Sequence, residues 1–176
     1  MINNDIEPIN IVKIDIIKGR CYANLKILKE ILLAESNNKL STYPYSSRYE
    51  DTYCPPHPVV DEVINKITID FKQATGRNIV CSGYWGHIHE KNMSTNTHDH
   101  GTEFFSAVFY ISVPEHSGDL VFAPRINPYN NYAFRSIFKP MEGYYYMFPS
   151  YIDHYVPRNN SEEKRISISF NFRQVI

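Results

Sequence analysis

Three histidines stand where they could bind one metal ion. His98 and His100 are two residues apart, just ahead of a long aromatic and β-branched run, and His154 follows much later in the chain. If the first two lie at a strand edge, alternation places both imidazoles on one face and Asp99 on the other. Three neutral imidazoles, or two and a carboxylate, from separated segments form a facial metal site with open positions. Such a site is typical of mononuclear non-haem iron, with room for a chelating co-substrate and dioxygen.

A second polar group lies on the last predicted strand. Arg165 and Ser167 alternate onto one face of this strand, while its apolar residues take the other face. The donor fork of an inward-facing arginine matches a carboxylate. Ser167 adds a hydroxyl, and Tyr110 in the long aromatic run could add a phenol. The pattern therefore indicates a carboxylate-binding pocket. A surface ion pair of Arg165 with Glu162 or Glu163 is the alternative interpretation.

The predicted helices lie in the first half of the chain. Residues 9–17 form a predicted edge strand, and residues 22–35 form an amphipathic helix. A second helix begins at Pro58, which suits a first turn, and ends at Gly76. Between the helices, residues 40–57 are rich in Ser, Tyr, Pro and Arg, which predicts a long irregular segment.

The second half is strand-like throughout. Turn signals separate six predicted strands, over residues 78–88, 102–113, 119–122, 133–138, 144–148 and 164–172. This order predicts an α+β fold: an antiparallel, jelly-roll-like sandwich or barrel with the N-terminal helices packed on one sheet. We expect a single domain over residues 1–176, in which 1–76 hold the first strand and the helices. Residues 77–176 then form the jelly-roll core with the metal site.

Composition restricts the partners and the compartment. The 176 residues carry a net charge of −1, so no basic field draws nucleic acid or an anionic membrane. Cys21, Cys54 and Cys81 are widely spaced and odd in number, which argues against disulfides or a thiolate zinc site and favours a reducing compartment. No signal-peptide pattern and no apolar run of about 20 residues is present. We expect a cytoplasmic protein with no nucleic-acid or membrane partner.

The sequence resembles a known family, the Fe(II)- and 2-oxoglutarate-dependent oxygenases, and within it the prolyl-hydroxylase-like branch with its phage and marine relatives. The resemblance covers roughly residues 82–172. It rests on these short pieces of sequence: His98-x-His100, Ser106-Ala107-Val108-Phe109-Tyr110-Ile111, Ser117-Gly118-Asp119-Leu120-Val121-Phe122, Phe148-Pro149-Ser150, His154, and Arg165-Ile166-Ser167. It implies a double-stranded β-helix, the jelly-roll, cupin-like fold.

The resemblance also implies a reaction and the residues that serve it. Three residues would hold Fe(II): His98, His100 and His154. Three more would hold the far carboxylate of the co-substrate 2-oxoglutarate: Tyr110, Arg165 and Ser167. The implied dioxygenase hydroxylates an unactivated C–H bond of a peptidyl substrate, for example a prolyl side chain, or of a small molecule, and releases succinate and CO2. Ascorbate is a further candidate cofactor, and a homo-oligomer is compatible with the sequence.

One position departs from the family pattern. The usual motif is H-x-D, and His100 occupies the place of the aspartate. Replacing a carboxylate by an imidazole leaves the iron site one unit more positive, which should alter its potential and its affinity for a dianion. Either the site is a three-histidine variant, or Asp99 or water replaces His100 as a ligand. The alternation of Asp99 favours the three-histidine site.

Two other functions stay open at this point. A cupin-type three-histidine dioxygenase without 2-oxoglutarate explains His100 but leaves Arg165 unexplained. A non-enzymatic jelly-roll binding module, for sugar or a protein partner, could hold a structural metal. His87 and His89 also show the i, i+2 spacing. Three interpretations are open for this pair: further metal ligands, residues at the mouth of the site, or ordinary strand residues.

Overall fold

A computed structural model describes residues 14–37, 51–123 and 135–175 of the chain. Its helices are α1 (Leu25–Asn37) and α2 (Pro58–Thr75). Its strands, in chain order, are β1 (Ile17–Arg20), β2 (Asp51–Thr52), β3 (Ile79–His89), β4 (Thr95–His98), β5 (Phe105–Ser112), β6 (Leu120–Phe122), β7 (Ser136–Phe138), β8 (Tyr144–Pro149), β9 (His154–Val156) and β10 (Arg165–Gln174). Much of the predicted first strand and of the irregular segment lies outside the described residues.

Strands β3 to β10 form a double-stranded β-helix of two sheets, and β1 and β2 extend the larger sheet at its two edges. The larger sheet has the order β1-β8-β5-β10-β3-β2, and the smaller has the order β4-β9-β6-β7. Successive strands from β3 onwards alternate between the sheets, except for the hairpin pair β6 and β7. This is the strand order of a jelly roll built from two Greek keys. The α+β prediction with a jelly-roll core is therefore confirmed.

Both helices pack on the outer face of the larger sheet. Their apolar stripes join the outward residues of β10 in one core that includes Leu28, Leu32, Val63, Ile67, Phe71, Ile166, Ile168, Phe170 and Phe172. Helix α2 begins and ends where the sequence predicts. The ring of His57 accepts a hydrogen bond from the Val59 N–H, and Gly76 at φ 72° ends the helix. Among the described helices, none is long and apolar enough to cross a bilayer.

Strand β10 carries different residues on its two faces. It lies between β5 and β3, and the helix-side face is apolar and fully buried. Arg165 and Ser167 point the other way, into the space between the sheets, and each is only 2% exposed. Glu162 pairs with Lys91 instead, and no ion pair of the described residues includes Arg165. The surface ion-pair interpretation of Arg165 is therefore wrong.

Two strands of the smaller sheet are absent from the sequence prediction. Strands β4 and β9 are four and three residues long, and they pair with each other. Segments this short carry little local signal, because cross-strand contacts rather than propensity stabilise them. The first strand also differs, since β1 begins at Ile17, where the predicted strand ends. It does lie at the sheet edge, as expected.

Candidate metal centre and anion pocket

The three histidines predicted as metal ligands lie together. His98 is the last residue of β4 and His154 the first of β9, and the two are direct partners in the antiparallel pairing. His100 follows in the turn after β4, with its Nε2 atom 3.3 Å from Nε2 of His154. One ligand atom from each residue lies within 4.8 Å of the others. The jelly roll thus brings two distant segments to one point.

Backbone carbonyls orient two of these rings. Nδ1 of His98 is 2.8 Å from the Asn96 carbonyl oxygen, and Nδ1 of His154 is 2.9 Å from that of Ile152. A carbonyl can only accept, so in each ring Nδ1 carries the proton and Nε2 carries the lone pair. Metal-binding histidines have this arrangement, because the second nitrogen fixes the tautomer and the ring plane. The donor set therefore fits a divalent metal ion.

Asp99 takes a different position from its neighbours. Its side chain is exposed, and Oδ1 accepts a hydrogen bond of 2.9 Å from the Gly101 N–H. Gly101 has φ 59°, the left-handed conformation that favours glycine. Asp99 therefore stabilises the turn that places His100 beside His98, and the cluster of candidate ligands contains His100.

The carboxylate-binding residues predicted from the sequence also lie together. Ser167 is opposite Tyr110 in the pairing of β10 with β5, and the guanidinium carbon of Arg165 is 5.3 Å from the centre of the Tyr110 ring. Both Arg165 and Tyr110 are buried. Arg165 Nε–H and the Tyr110 hydroxyl proton have no acceptor within the described part of the chain, because the neighbouring Arg165 guanidinium can only donate to the Tyr110 oxygen. Buried donors without an acceptor are costly, so the pocket suits an acceptor that the described residues do not supply.

Burial also decides the charge state of this pocket. Desolvation raises the pKa of Tyr110 to about 12, against the opposing effect of the Arg165 guanidinium, so the phenol stays protonated and can donate. Desolvation also lowers the pKa of Arg165 from its ordinary value, yet a guanidinium keeps its proton in proteins. The pocket consequently presents one positive charge and a neutral hydroxyl, a combination that suits a carboxylate.

The metal centre and the anion pocket are two ends of one cavity between the sheets. The cavity volume is about 40 Å³. Its lining includes His98, His100 and His154 at one end and Arg165 and Ser167 at the other. No aspartate or glutamate is among the described residues that line it. Imidazoles and a guanidinium without a lining acid give the cavity a chemistry that suits an anion.

Two further histidines occupy the wall of this cavity. His89 is hydrogen-bonded to Arg165 and to Thr95, and His87 lies 3.0 Å from the Asp51 carboxylate of β2. Neither belongs to the cluster of candidate ligands. The i, i+2 spacing of His87 and His89 marked both as candidate site residues. Nothing in the sequence marked Thr95, because its place beside His89 depends on the pairing of β4 with β9.

Comparisons with known proteins relate this chain to a protein family. A family model described as "Putative 2OG-Fe(II) oxygenase" matches residues 83–171, half of the chain. Among curated proteins, none matches the sequence.

Several solved structures are similar in fold. A viral collagen prolyl hydroxylase from Paramecium Bursaria Chlorella virus-1 has 16% identity and a TM-score of 0.62, with 91% of this chain and 96% of that chain covered. A prolyl hydroxylase from Trichoplax adhaerens, in complex with a hypoxia inducible factor peptide, has 9% identity and a TM-score of 0.66, with coverage of 90% and 83%. A 2OG-Fe(II) oxygenase family protein from Burkholderia pseudomallei has 16% identity and a TM-score of 0.55; the match covers 70% of this chain and 62% of that one.

At these low sequence identities, the structural similarity shows that the fold is shared. The family model shows that the chain is related to this family. The matched residues include both histidine segments and the arginine of β10. The chain belongs to the 2OG-Fe(II) oxygenases, enzymes that use Fe(II) and 2-oxoglutarate.

Proposed function

We propose that this oxygenase is a hydroxylase with a three-histidine iron site. His98, His100 and His154 hold Fe(II), and Tyr110, Arg165 and Ser167 hold the far carboxylate of 2-oxoglutarate. One observation carries the proposal: a triad of imidazoles and a buried, partly unpartnered guanidinium line the same cavity. A dicarboxylic 2-oxo acid has a chelating end for a metal and a distal carboxylate for an arginine, so its shape matches the two ends.

When bound, iron and 2-oxoglutarate supply the oxidation of the C–H bond, with release of succinate and CO2. The chain contributes binding, orientation and exclusion of water. Arg165 and the Tyr110 hydroxyl donate to the distal carboxylate, and their burial strengthens both interactions. The carbonyls of Asn96 and Ile152 keep the His98 and His154 rings turned towards the metal.

The substrate we propose is a peptidyl side chain, with proline as the first candidate. Two of the similar structures are prolyl hydroxylases, one described as acting on collagen and one bound to a peptide. A small-molecule substrate is the alternative. The net charge of −1 supports the absence of a nucleic-acid or membrane partner, and a homo-oligomer is compatible with this function.

We also propose a cytoplasmic location and a single domain over residues 1–176. Cys21, Cys54 and Cys81 are free thiols in the described structure, which suits a reducing compartment. One core joins α1 and α2 to the larger sheet, which supports a single domain in which residues 77–176 carry the site.

The activity is tested by turnover of labelled 2-oxoglutarate. Protein supplied with Fe(II), ascorbate and a panel of proline-containing peptides should release labelled CO2 and form hydroxyproline. Arg165→Ala should lose at least about 100-fold in turnover, because a charged hydrogen-bonding pair is removed from a buried site. Arg77→Ala, at an exposed arginine remote from the cavity, is the matched control.

Calorimetry separates this proposal from the three-histidine dioxygenase that needs no 2-oxoglutarate. His100 in the ligand cluster favours that alternative, whereas Arg165 favours ours. With an oxygen-inert divalent metal bound, 2-oxoglutarate should bind to the unmodified chain and much more weakly to Arg165→Ala. Metal binding without any 2-oxoglutarate binding would reject our proposal.

A further inference from the structure

His89 is a buried histidine of the cavity that lies outside the candidate metal centre. It is 1% exposed and directly opposite Arg165 in the pairing of β3 with β10. Its Nδ1 is 3.2 Å from Nη1 of Arg165, and its Nε2 is 3.0 Å from the Thr95 hydroxyl. The ring therefore connects the predicted co-substrate anchor to strand β4.

Hydrogen-bond chemistry determines where the His89 proton resides. A guanidinium only donates, so His89 Nδ1 must accept, and Nε2 must carry the proton and donate to Thr95. Burial, and next the neighbouring Arg165 charge, lower the pKa of His89 to about 3. The ring is consequently neutral near pH 7, as an acceptor beside a guanidinium has to be.

The backbone of His89 is hydrogen-bonded as well as its ring. The His89 carbonyl oxygen accepts a hydrogen bond of 2.9 Å from Nδ2 of Asn159, which is fully buried. Asn159 Nδ2 also donates to the Glu163 carbonyl oxygen, at 2.9 Å. The imidazole is thus fixed from the β3 backbone, from β4 and from the segment before β10.

We propose that His89 is a positioning residue for Arg165: it accepts one N–H of the guanidinium and so aims the remaining donors, including the unpartnered Nε, at the far carboxylate of 2-oxoglutarate. This inference rests on the proposed function of the anion pocket. A flexible arginine loses conformational freedom when it binds a ligand, and a pre-oriented one loses less. A neutral acceptor orients the guanidinium and leaves its charge for the ligand, whereas an aspartate or glutamate there would neutralise that charge.

The test measures binding of two 2-oxo acids to the full chain loaded with an oxygen-inert divalent metal. 2-Oxoglutarate has the far carboxylate, and 2-oxobutyrate lacks it. His89→Phe keeps a ring but removes the acceptor, and should weaken 2-oxoglutarate binding about 10- to 100-fold, the effect of losing a hydrogen bond to a charged group. Binding of 2-oxobutyrate and of the metal should stay within about 3-fold, because neither uses Arg165.

A conservative variant and a control complete the series. His89→Asn keeps an acceptor near the Nδ1 position and should restore most of the lost affinity for 2-oxoglutarate. His116→Asn is the matched exchange at an exposed histidine, and should leave both acids unaffected. If His89→Phe does not fold, His89→Ala replaces it with the same expected loss.

The outcomes separate this inference from the proposed function. Equal weakening of both acids, no loss in His89→Phe, or no recovery in His89→Asn would each overturn the positioning role. Those results leave the pocket assignment intact as long as Arg165→Ala loses 2-oxoglutarate. Failure of the unmodified chain to bind 2-oxoglutarate would overturn the proposed function and this inference together.

Discussion

The two ends of the cavity are built differently. At the metal end, His98 and His100 are half-buried and project from the end of a short strand and from a turn, whereas His154 is buried. At the anion end, Tyr110 and Arg165 are at most 2% exposed and lie on β5 and β10, central strands of the larger sheet. Two of the three candidate metal ligands are thus partly exposed to solvent, whereas the residues of the anion end are enclosed.

This difference fits the work each end would do. A metal ion and a substrate have to enter and leave, so their ligands belong at the rim of the sheets. A distal carboxylate is best recognised where water is excluded, because charged hydrogen bonds are stronger there. Buried donors on β5 and β10 that lack an acceptor among the described residues are costly, and a ligand that accepts from them would recover that cost. The comparison predicts that substitutions at the two ends have separable effects.

The largest effect is expected at the metal end. His154→Ala removes a proposed ligand positioned by β9. Turnover and Fe(II) affinity should therefore fall by more than the roughly 100-fold expected for loss of a residue that only contacts a ligand. Metal titration by calorimetry measures the affinity, and His116→Asn is the control. Unchanged metal binding in His154→Ala would remove this residue from the centre.

Neighbouring substitutions decide which residue completes the centre. His100→Ala should lower metal affinity by more than about 100-fold, as for His154→Ala, whereas Asp99→Ala should change it less than about 3-fold. Within the described ranges, Asp99 accepts one hydrogen bond, from the Gly101 N–H, so its loss should instead cost about 1 kcal/mol of folding stability. The reverse order of metal affinities would assign the ligand role to Asp99.

At the anion end, one hydroxyl should affect binding and stability in opposite directions. Tyr110→Phe removes a donor to the far carboxylate and should weaken 2-oxoglutarate binding about 10-fold. The same change removes a buried hydroxyl without a partner in the described structure, so the ligand-free protein should be equally stable or up to about 1 kcal/mol more stable. Calorimetry and chemical denaturation measure the two effects, and a loss of stability would contradict the unpaired hydroxyl.

The smallest effect concerns pH. His89 has a pKa of about 3 in the folded chain and about 6.5 when unfolded. Below the unfolded value the unfolded chain binds a proton that the folded chain does not, so this contribution to stability is complete above pH 6.5 and is lost as pH falls towards 3. Between pH 7 and 5.5 the loss should be about 1 kcal/mol, and smaller in His89→Phe. Denaturation of both proteins at the two pH values measures it, and equal losses would contradict a neutral His89.

Much of the fold could be predicted from local pattern. The sequence of helix α2 contains residues that mark its start and end, and the long strands β5 and β10 contain strong β-formers. These three elements could therefore be predicted from the sequence. The short strands β4 and β9 were not, because each exists through its partner. Of the six predicted site residues, the structure brings all into one region, with His98, His100 and His154 at one end.

The sequence by itself determined the donor types, their order and the alternation that turns Arg165 and Ser167 away from the helix core. Residue type and period are local properties, so they can be read from the chain. Only the tertiary structure decided that His89 meets Arg165 and Thr95, and that Arg165 keeps an unpartnered donor. These contacts join residues on separate strands, and their distances depend on sheet register and closure, which no local pattern encodes.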